Sequence, residues 1–546
     1  MKTNTLIAAG LLGLALAAPA GAARMVLNNV DAPGIGFNDP TPATPVGGNA
    51  GTTVGAQRLV AYSRALELWG KTLRSDVTVV VRGSFARLDC VRGVLAQAGA
   101  IQIFSDFPRT PLPGHWYGVA LANAIAGEDL APGPLDIPGP TDNGNDDIIA
   151  SFNGDVGKAD CLPGPGWYYG LDNNAPAGQI DFLDTFMHEV AHGLGFQNFV
   201  NEGTGNLVDG LPDVYMANTL DLSTRRKWNT LTGPEIVASA LRNGKVVWDG
   251  ANVTANAPLV LGPFEGIRLS GALTGEPEFG TAAFGAPPSV ANFSGAVVLA
   301  TDSVAAPGGG TITDGCEPIT AAVAGKIALV DRGLCGFVVK AKNAQNAGAT
   351  GLIVANTLGR GVAGMAGTDP TVTIPSILVS NADGDAIKAA LPTVSVAYFV
   401  DPTRRAGAAE GFVRLFAPPV YQPGSSISHF DVVASPSLLM EPNITLDLRS
   451  AQSLDLTSSL MKDIGWKLET LKIGRCDTGV ASTLRTGQML HASVDACVGI
   501  ATKQREFRDC VRDVTKQARR DRLLSGHERS RILHCIGEHD RDDDRD

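Results

Sequence analysis

The first apolar run, Leu6 to Ala18, follows Met1 and Lys2 and ends at Pro19 and the small residues Ala20-Gly21-Ala22. A bilayer span needs about 20 apolar residues. This run is shorter and has a basic start and a small-residue end, so residues 1–22 are expected to be a secretory signal peptide. Further along, Leu59, Tyr62, Leu66, Trp69 and Leu73 recur at three- and four-residue steps and predict one helix. Asp76 to Val81 is a β-branched strand, after a Gly/Pro/Asn/Thr-rich lead-in over 24–55. Residues 108–147 read as long loops with one short helix at Val119–Ala126, followed by strands at Ile148–Phe152 and Trp167–Gly170. A helix begins near Asp181, a natural N-cap, and buries Leu183, Phe186, Met187, Val190, Ala191 and Leu194. Between about 255 and 400 the pattern alternates β and α: strand Lys326–Val330, helix Phe337–Ala347, strand Gly351–Ala355. One more apolar helix covers Leu454–Ile464, and a charged helical pattern runs from about 476 to the acidic end.

Composition narrows the class. The chain has 546 residues, enough for about three to five domains. With 44% hydrophobic and 18% charged residues it is globular rather than disordered. A net charge of −11 argues against a broad nucleic-acid or anionic-membrane surface. The eight cysteines include no C-x-x-C pair, and an even count in an exported chain predicts disulfides rather than a thiolate metal cluster. By proximity Cys90 is paired with Cys161 and Cys316 with Cys335. Cys476, Cys497, Cys510 and Cys535 form a C-terminal set, in which Cys510 and Cys535 are a candidate staple.

The chemistry concentrates in His188-Glu189-Val190-Ala191-His192. Histidines four apart on a helix project from one face and can share one metal, and the Glu beside them can reach a water on that metal. Zinc is the expected ion, with Glu189 as the base that takes a proton from water attacking a carbonyl and passes it to the leaving amine. Gly195 follows as a turn glycine, in the pattern H-E-x-x-H-x-x-G. Asn198 stands at the next step and is a poor zinc ligand beside imidazole, so a third ligand must come from elsewhere. Of the six other histidines, His491, His527, His534 and His539 fall in the charged C-terminal region and read as solvated, and His115 lies in a Pro/Gly loop. His429, in Ser428-His429-Phe430-Asp431, shortly precedes Met440 and Glu441.

Together, His188, Glu189, His192, Gly195, His429 and Met440 resemble the leishmanolysin-like metzincins. That resemblance implies zinc ligation by His188, His192 and His429, the base role for Glu189, and a Met-turn at Met440 beneath the metal. It also implies a large insertion before the third histidine. Phe430-Asp431 departs from the family pattern, and Asp431 and Glu441 remain alternative ligands. Within 324–356, Asp331-Arg332-Gly333, Cys335, Phe337, Lys340 and Asn343-Ala344-Gln345 closely resemble the protease-associated (PA) domain. This resemblance implies a non-catalytic insert concerned with substrate access or protein contacts.

The expected fold is α+β: a zincin/metzincin-like catalytic domain split by an inserted β/α PA domain, plus a small α-helical C-terminal region. In residues, 1–22 is the signal peptide, 23–254 the first part of the metallopeptidase, 255–400 the PA insert, 401–470 the second part, and 471–546 the charged Cys-containing region. The expected protein is a secreted (extracellular or periplasmic) zinc metalloendopeptidase acting on protein or peptide substrates, with no stable membrane anchor and no nucleic-acid partner. The rival reading is an inactive exported binding protein that works through its PA domain; hydrolysis of a non-peptide amide would use the same residues. Calcium is a weaker expectation at Thr141–Asp147, which misses the EF-hand pattern and reads more simply as a solvated turn.

Overall fold

The computed structural model describes residues 21–131, 145–164, 166–176, 178–302, 310–357, 362, 364–365, 367 and 369–543, with side chains up to 537. Most of the expected signal peptide, residues 1–20, lies outside them, as do residues 141–144 of the weak calcium motif and the side chain of His539. Two compact units emerge: one from residues up to 199, 211–215 and 444 onward, the other from 200–210 and 216–443. The boundaries expected near 254 and 400 fall inside the second unit.

In the first unit a four-stranded sheet has the order Met25–Asn29, Val79–Ala86, Ile148–Asn153, Ala96–Ala100. The first three strands are parallel, with Met25 opposite Val79 and Val81 opposite Ile148; the edge strand Ala96–Ala100 is antiparallel, with Ala96 opposite Phe152. Met25–Asn29 lies in the stretch read as a lead-in, because its strand state depends on a partner some fifty residues away rather than on its own pattern. The second strand starts and ends later than the β-branched run, since one of its edges is paired from Val79 to Gly83 and the other from Val81 to Ala86.

Helix Val54–Thr72 starts before its first periodic residue because the Thr53 hydroxyl accepts from the Ala56 N–H at 3.1 Å. An aromatic cluster joins this helix, the sheet and a second helix, Phe182–Gly193. Tyr62 meets Phe186 at 4.0 Å between ring centroids, Phe85 meets Phe182 at 5.7 Å and Phe152 meets Phe182 at 5.1 Å. All of these rings are buried, and each such residue contributes on the order of 1.5–3 kcal/mol of transfer free energy.

The C-terminal part of this unit comprises helix Thr457–Ile464, a hairpin (Thr470–Ile473 with Cys476–Ala481) and helices Leu490–Ile500, Gln504–Arg520 and Gly526–Asp543. Disulfides link Cys476 to Cys535 and Cys497 to Cys510. The Cys510–Cys535 staple is therefore replaced by two bonds, one tying the hairpin to the last helix and one joining consecutive helices. The other two bonds are Cys90–Cys161 and Cys316–Cys335.

His491 also departs from expectation. It is buried instead of solvated, with its Nε2 3.2 Å from Thr72 Oγ1. Thr72 donates its own hydroxyl proton to the Leu68 carbonyl, so it must accept from His491 Nε2–H. This leaves Nδ1 bare and without a partner among the described residues.

The second unit is built on a seven-stranded mixed sheet in the order Pro263–Gly271, Val394–Arg405, Ser294–Leu299, Ile327–Asp331, Gly351–Ala355, Ser376–Val379, Phe279–Thr281. Its four inner strands from Ser294–Leu299 to Ser376–Val379 are parallel. Ile327 and Leu329 enter one hydrophobic core and Ala328 and Val330 the other, which explains the unbroken apolar run: both faces are covered. Helices Phe337–Asn346 and Asn381–Ala390 accompany this sheet. A smaller five-stranded sheet, from Thr219–Asp221 to Phe412–Arg414, completes the unit. Among the described residues no helix is long and apolar enough to cross a membrane.

Burial, with Lys71 and Arg64 nearby, pushes the His491 imidazole down to about 3. An unfolded histidine titrates near 6.5, so the unfolded chain binds a proton that the native state refuses between these values. Stability must therefore fall as pH drops below about 6.5, approaching about 1.4 kcal/mol per pH unit from this one group. Urea unfolding of His491→Gln between pH 6.5 and 4 should show a pH slope shallower than wild type by one proton; an equal slope would contradict it.

Candidate metal centre

The His-bearing helix Phe182–Gly193 is fixed at both ends. At its start the Asp181 carboxylate accepts from the Asp184 N–H at 3.1 Å, as the sequence predicts. One turn on, Asp184 Oδ1 accepts from Asn173 Nδ2 at 2.8 Å and from the Ser450 N–H at 3.1 Å, tying the helix to a loop and to the C-terminal segment. In its middle, the Met187 carbonyl accepts from Trp69 Nε1 at 3.2 Å.

The far end is a Schellman turn. The Phe196 N–H bonds the Ala191 carbonyl at 2.9 Å and the Gly195 N–H the His192 carbonyl at 3.0 Å, with Gly195 at φ +118°. A Cβ on Gly195 would lie 2.8 Å from Ile464 Cδ1, so both conformation and space call for glycine. Trp466 Nε1 donates to the Leu194 carbonyl at 2.8 Å and closes the turn. Gly193 is needed for a different reason: a Cβ there would lie 2.2 Å from Ile148 on the sheet.

This turn has a chemical consequence. It brings the Phe196 carbonyl to 2.7 Å from His192 Nδ1, which selects the tautomer with the proton on Nδ1 and a bare lone pair on Nε2. Burial pushes this imidazole down to about 4, so it is neutral at physiological pH. His188 and His192 meet with their Nε2 atoms 3.0 Å apart. Two nitrogens sharing one tetrahedral zinc at about 2.0–2.1 Å sit about 3.3 Å apart, so the pair fits such an ion with a small adjustment.

Glu189 is buried beside them. Its Oε2 has no partner among the described residues, and burial pushes the carboxyl up to about 8. A buried carboxylate oxygen without a donor is costly and needs an explanation such as a metal, a water or a substrate.

His429 and Met440 belong to the second unit. His429 is buried, and its Nδ1 lies 2.9 Å from the Ser425 carbonyl, an arrangement that orients the ring as Phe196 does for His192. Met440 is buried in a tight turn in which the Glu441 N–H bonds the Leu438 carbonyl, while the Met440 carbonyl accepts from the Phe430 N–H at 2.8 Å. The two alternative ligands have structural duties. Arg414 Nη2 lies 2.7 Å from Asp431 Oδ2, and Glu441 Oε1 accepts from the Leu438 N–H at 2.8 Å. His115 remains a loop residue, with Nδ1 3.0 Å from the Pro113 carbonyl. Asp146 and Asp147 of the weak calcium motif are buried acceptors: Asp146 takes Asn28 Nδ2 at 2.9 Å, and Asp147 takes the Val80 N–H at 2.7 Å and Asn123 Nδ2 at 3.0 Å.

Comparison with known proteins places a PA domain at residues 256–387. Over 109 residues, 19% of the chain, the sequence is 37% identical to signal peptide peptidase-like 4 of Oryza sativa subsp. japonica. Over 81 residues, 14% of the chain, it is 38% identical to signal peptide peptidase-like 5 of Arabidopsis thaliana. These matches span 20% and 15% of the two relatives' own lengths. Among solved structures, a zinc aminopeptidase from Bacillus subtilis is 21% identical and shares 27% of this chain and 36% of its own, with a TM-score of 0.19. That score is too low to bear on fold or activity. The chain is thus a mixed α/β protein with an inserted PA domain.

Gly195→Ala tests the turn. The substitution forces a β-carbon into a left-handed conformation and against Ile464, and should cost about 1–3 kcal/mol in urea unfolding. An unchanged midpoint would show that the turn does not require glycine.

Proposed function

We propose that this chain is a secreted zinc-dependent endopeptidase of metzincin type, in which His188, His192 and His429 hold the ion and Glu189 is the general base. The observation that carries the reading is the pairing of two buried imidazole Nε2 atoms at 3.0 Å with a Glu189 carboxylate oxygen on the same helix that has no partner among the described residues. The donor set is all neutral nitrogen, which suits zinc better than calcium or magnesium. Zinc bound there would supply Lewis acidity, polarising a carbonyl and lowering the pKa of water toward 7.

The protein's own residues do the rest. Glu189 Oε2 accepts a proton from the attacking water and returns it to the leaving amide nitrogen. The Phe196 and Ser425 carbonyls hold His192 and His429 in the tautomer that presents Nε2. Met440 supports the turn after His429, and Arg414 engages Asp431, so His429 is the better third ligand. Strand Ala96–Ala100, an edge of its sheet among the described residues and packed against the His-bearing helix, offers backbone groups to an extended peptide. Four disulfides accord with an oxidising compartment.

The test is cleavage of an unfolded protein with and without chelator, alongside metal analysis. Glu189→Gln should retain stoichiometric zinc and lose activity by about 10²–10⁴-fold. His429→Ala should lose most of its bound zinc. Chelator-insensitive cleavage, or none by the zinc-loaded and fully processed protein, would overturn the reading, and full zinc and activity in His429→Ala would remove His429 from the ligand set.

A further inference from the structure

A second group of metal-capable side chains lies wholly within the second unit, in the PA domain. Asp302, Asp314 and Glu317 each bring a carboxylate oxygen to within 4.8 Å of the others. Acidic groups cluster on many proteins without an ion, but Asp302 is unusual. It is 5% exposed, and among the described residues neither of its carboxylate oxygens has a hydrogen-bond partner. Its backbone is held in place, with its N–H donating to the Ile312 carbonyl at 2.9 Å.

Asp314 is equally buried and pre-oriented. Its Oδ1 accepts from the Cys316 N–H and its Oδ2 from the Thr311 N–H, both at 2.9 Å. Glu317 follows Cys316, which the bond to Cys335 anchors, and its Oε2 is shielded and unpartnered among the described residues. Burial and the neighbouring Asp302 and Asp314 hold the Glu317 carboxyl above its usual range.

The cation nearby among the described residues does not resolve this crowding. Lys340 is fully buried nearby, but its ammonium donates to the Asp314 carbonyl at 2.6 Å and to Cys316 Sγ at 3.4 Å. One positive charge also leaves three carboxylates with an excess of two negative charges. That is the charge of one divalent cation.

The geometry points to a calcium site formed by Asp302, Asp314 and Glu317. All the donors are hard carboxylate oxygens, with no His or Cys to favour zinc. Calcium accepts an irregular set of six to eight oxygens, completed by carbonyls or water, where magnesium demands a near-ideal octahedron. The ion would brace the region after strand Ser294–Leu299 against the Cys316–Cys335 loop, making it a stabilising site separate from the His188–His192 centre.

The test uses the full-length, disulfide-intact protein, stripped of metal with EGTA, dialysed free of the chelator, reloaded with zinc and titrated calorimetrically with calcium chloride. One saturable calcium should bind and raise the thermal unfolding midpoint. Asp302→Asn and Glu317→Gln should each weaken that binding at least tenfold with zinc content unchanged. If Asp302→Asn fails to fold, Glu317→Gln, whose side chain is only half-buried, decides alone. No saturable calcium binding, retention of wild-type affinity in the folded variants, or a preference for magnesium over calcium would each overturn the assignment.

Discussion

The bond between His192 Nδ1 and the Phe196 carbonyl is the contact on which the chemistry of the centre depends. It decides which ring nitrogen carries the proton and therefore which one can bind a metal. The bond exists because the helix stops abruptly: a left-handed Gly195 turns the chain back, and the Trp466 indole holds the Leu194 carbonyl. The other end of the helix is set by Asp181 and Asp184, and its buried side by an aromatic cluster reaching back to Phe37. A pair of histidines four residues apart is common to many helices; what distinguishes this one is that tautomer, depth and direction are all set by neighbours within the same unit.

This arrangement is costly. Burial drives His192 toward neutrality and Glu189 toward protonation, and leaves a carboxylate oxygen without a donor among the described residues. The surrounding core can bear that cost, since the aromatic rings packed around the helix each bury large apolar surface. Asp302 presents a related pattern in the PA domain, where a carboxylate is buried, with neither oxygen matched among the described residues, beside two further acids. In both places local rules of polar satisfaction are broken while the surrounding elements obey them, which is where function is expected to reside. The donor chemistry then separates them: nitrogens at one, hard oxygens at the other.

The His-bearing helix was legible because its determinants are local. Asp181 is three residues from the N–H it caps, and the histidines are one turn apart. The PA strands were legible for the same reason, as short apolar runs between turn residues. Strand Met25–Asn29 was not, because only pairing with Val79–Gly83 makes it a strand. His491 reads as solvated in the sequence because it stands in a charged region, yet its helix turns it toward Thr72. The C-terminal cysteines read only as a set with Cys510 and Cys535 as a candidate staple, because the sequence does not show that the last helix folds back over the hairpin to bring Cys535 to Cys476.

The division between legible and illegible follows sequence separation, and it has a consequence for reading this kind of centre. Tautomer control of His192 comes from a carbonyl four residues away, so the residues that directly follow H-E-x-x-H already contain what prepares this nitrogen. His429, far along the chain, has no such motif around it in the sequence. Its own preparation is again local, however: Ser425 does for His429 what Phe196 does for His192, from four residues away and through the same kind of backbone bond. A histidine whose Nδ1 meets a carbonyl i−4 or i+4 is a ring that presents Nε2 as a bare lone pair, and that is a physical criterion for choosing among distant histidines where spacing offers none.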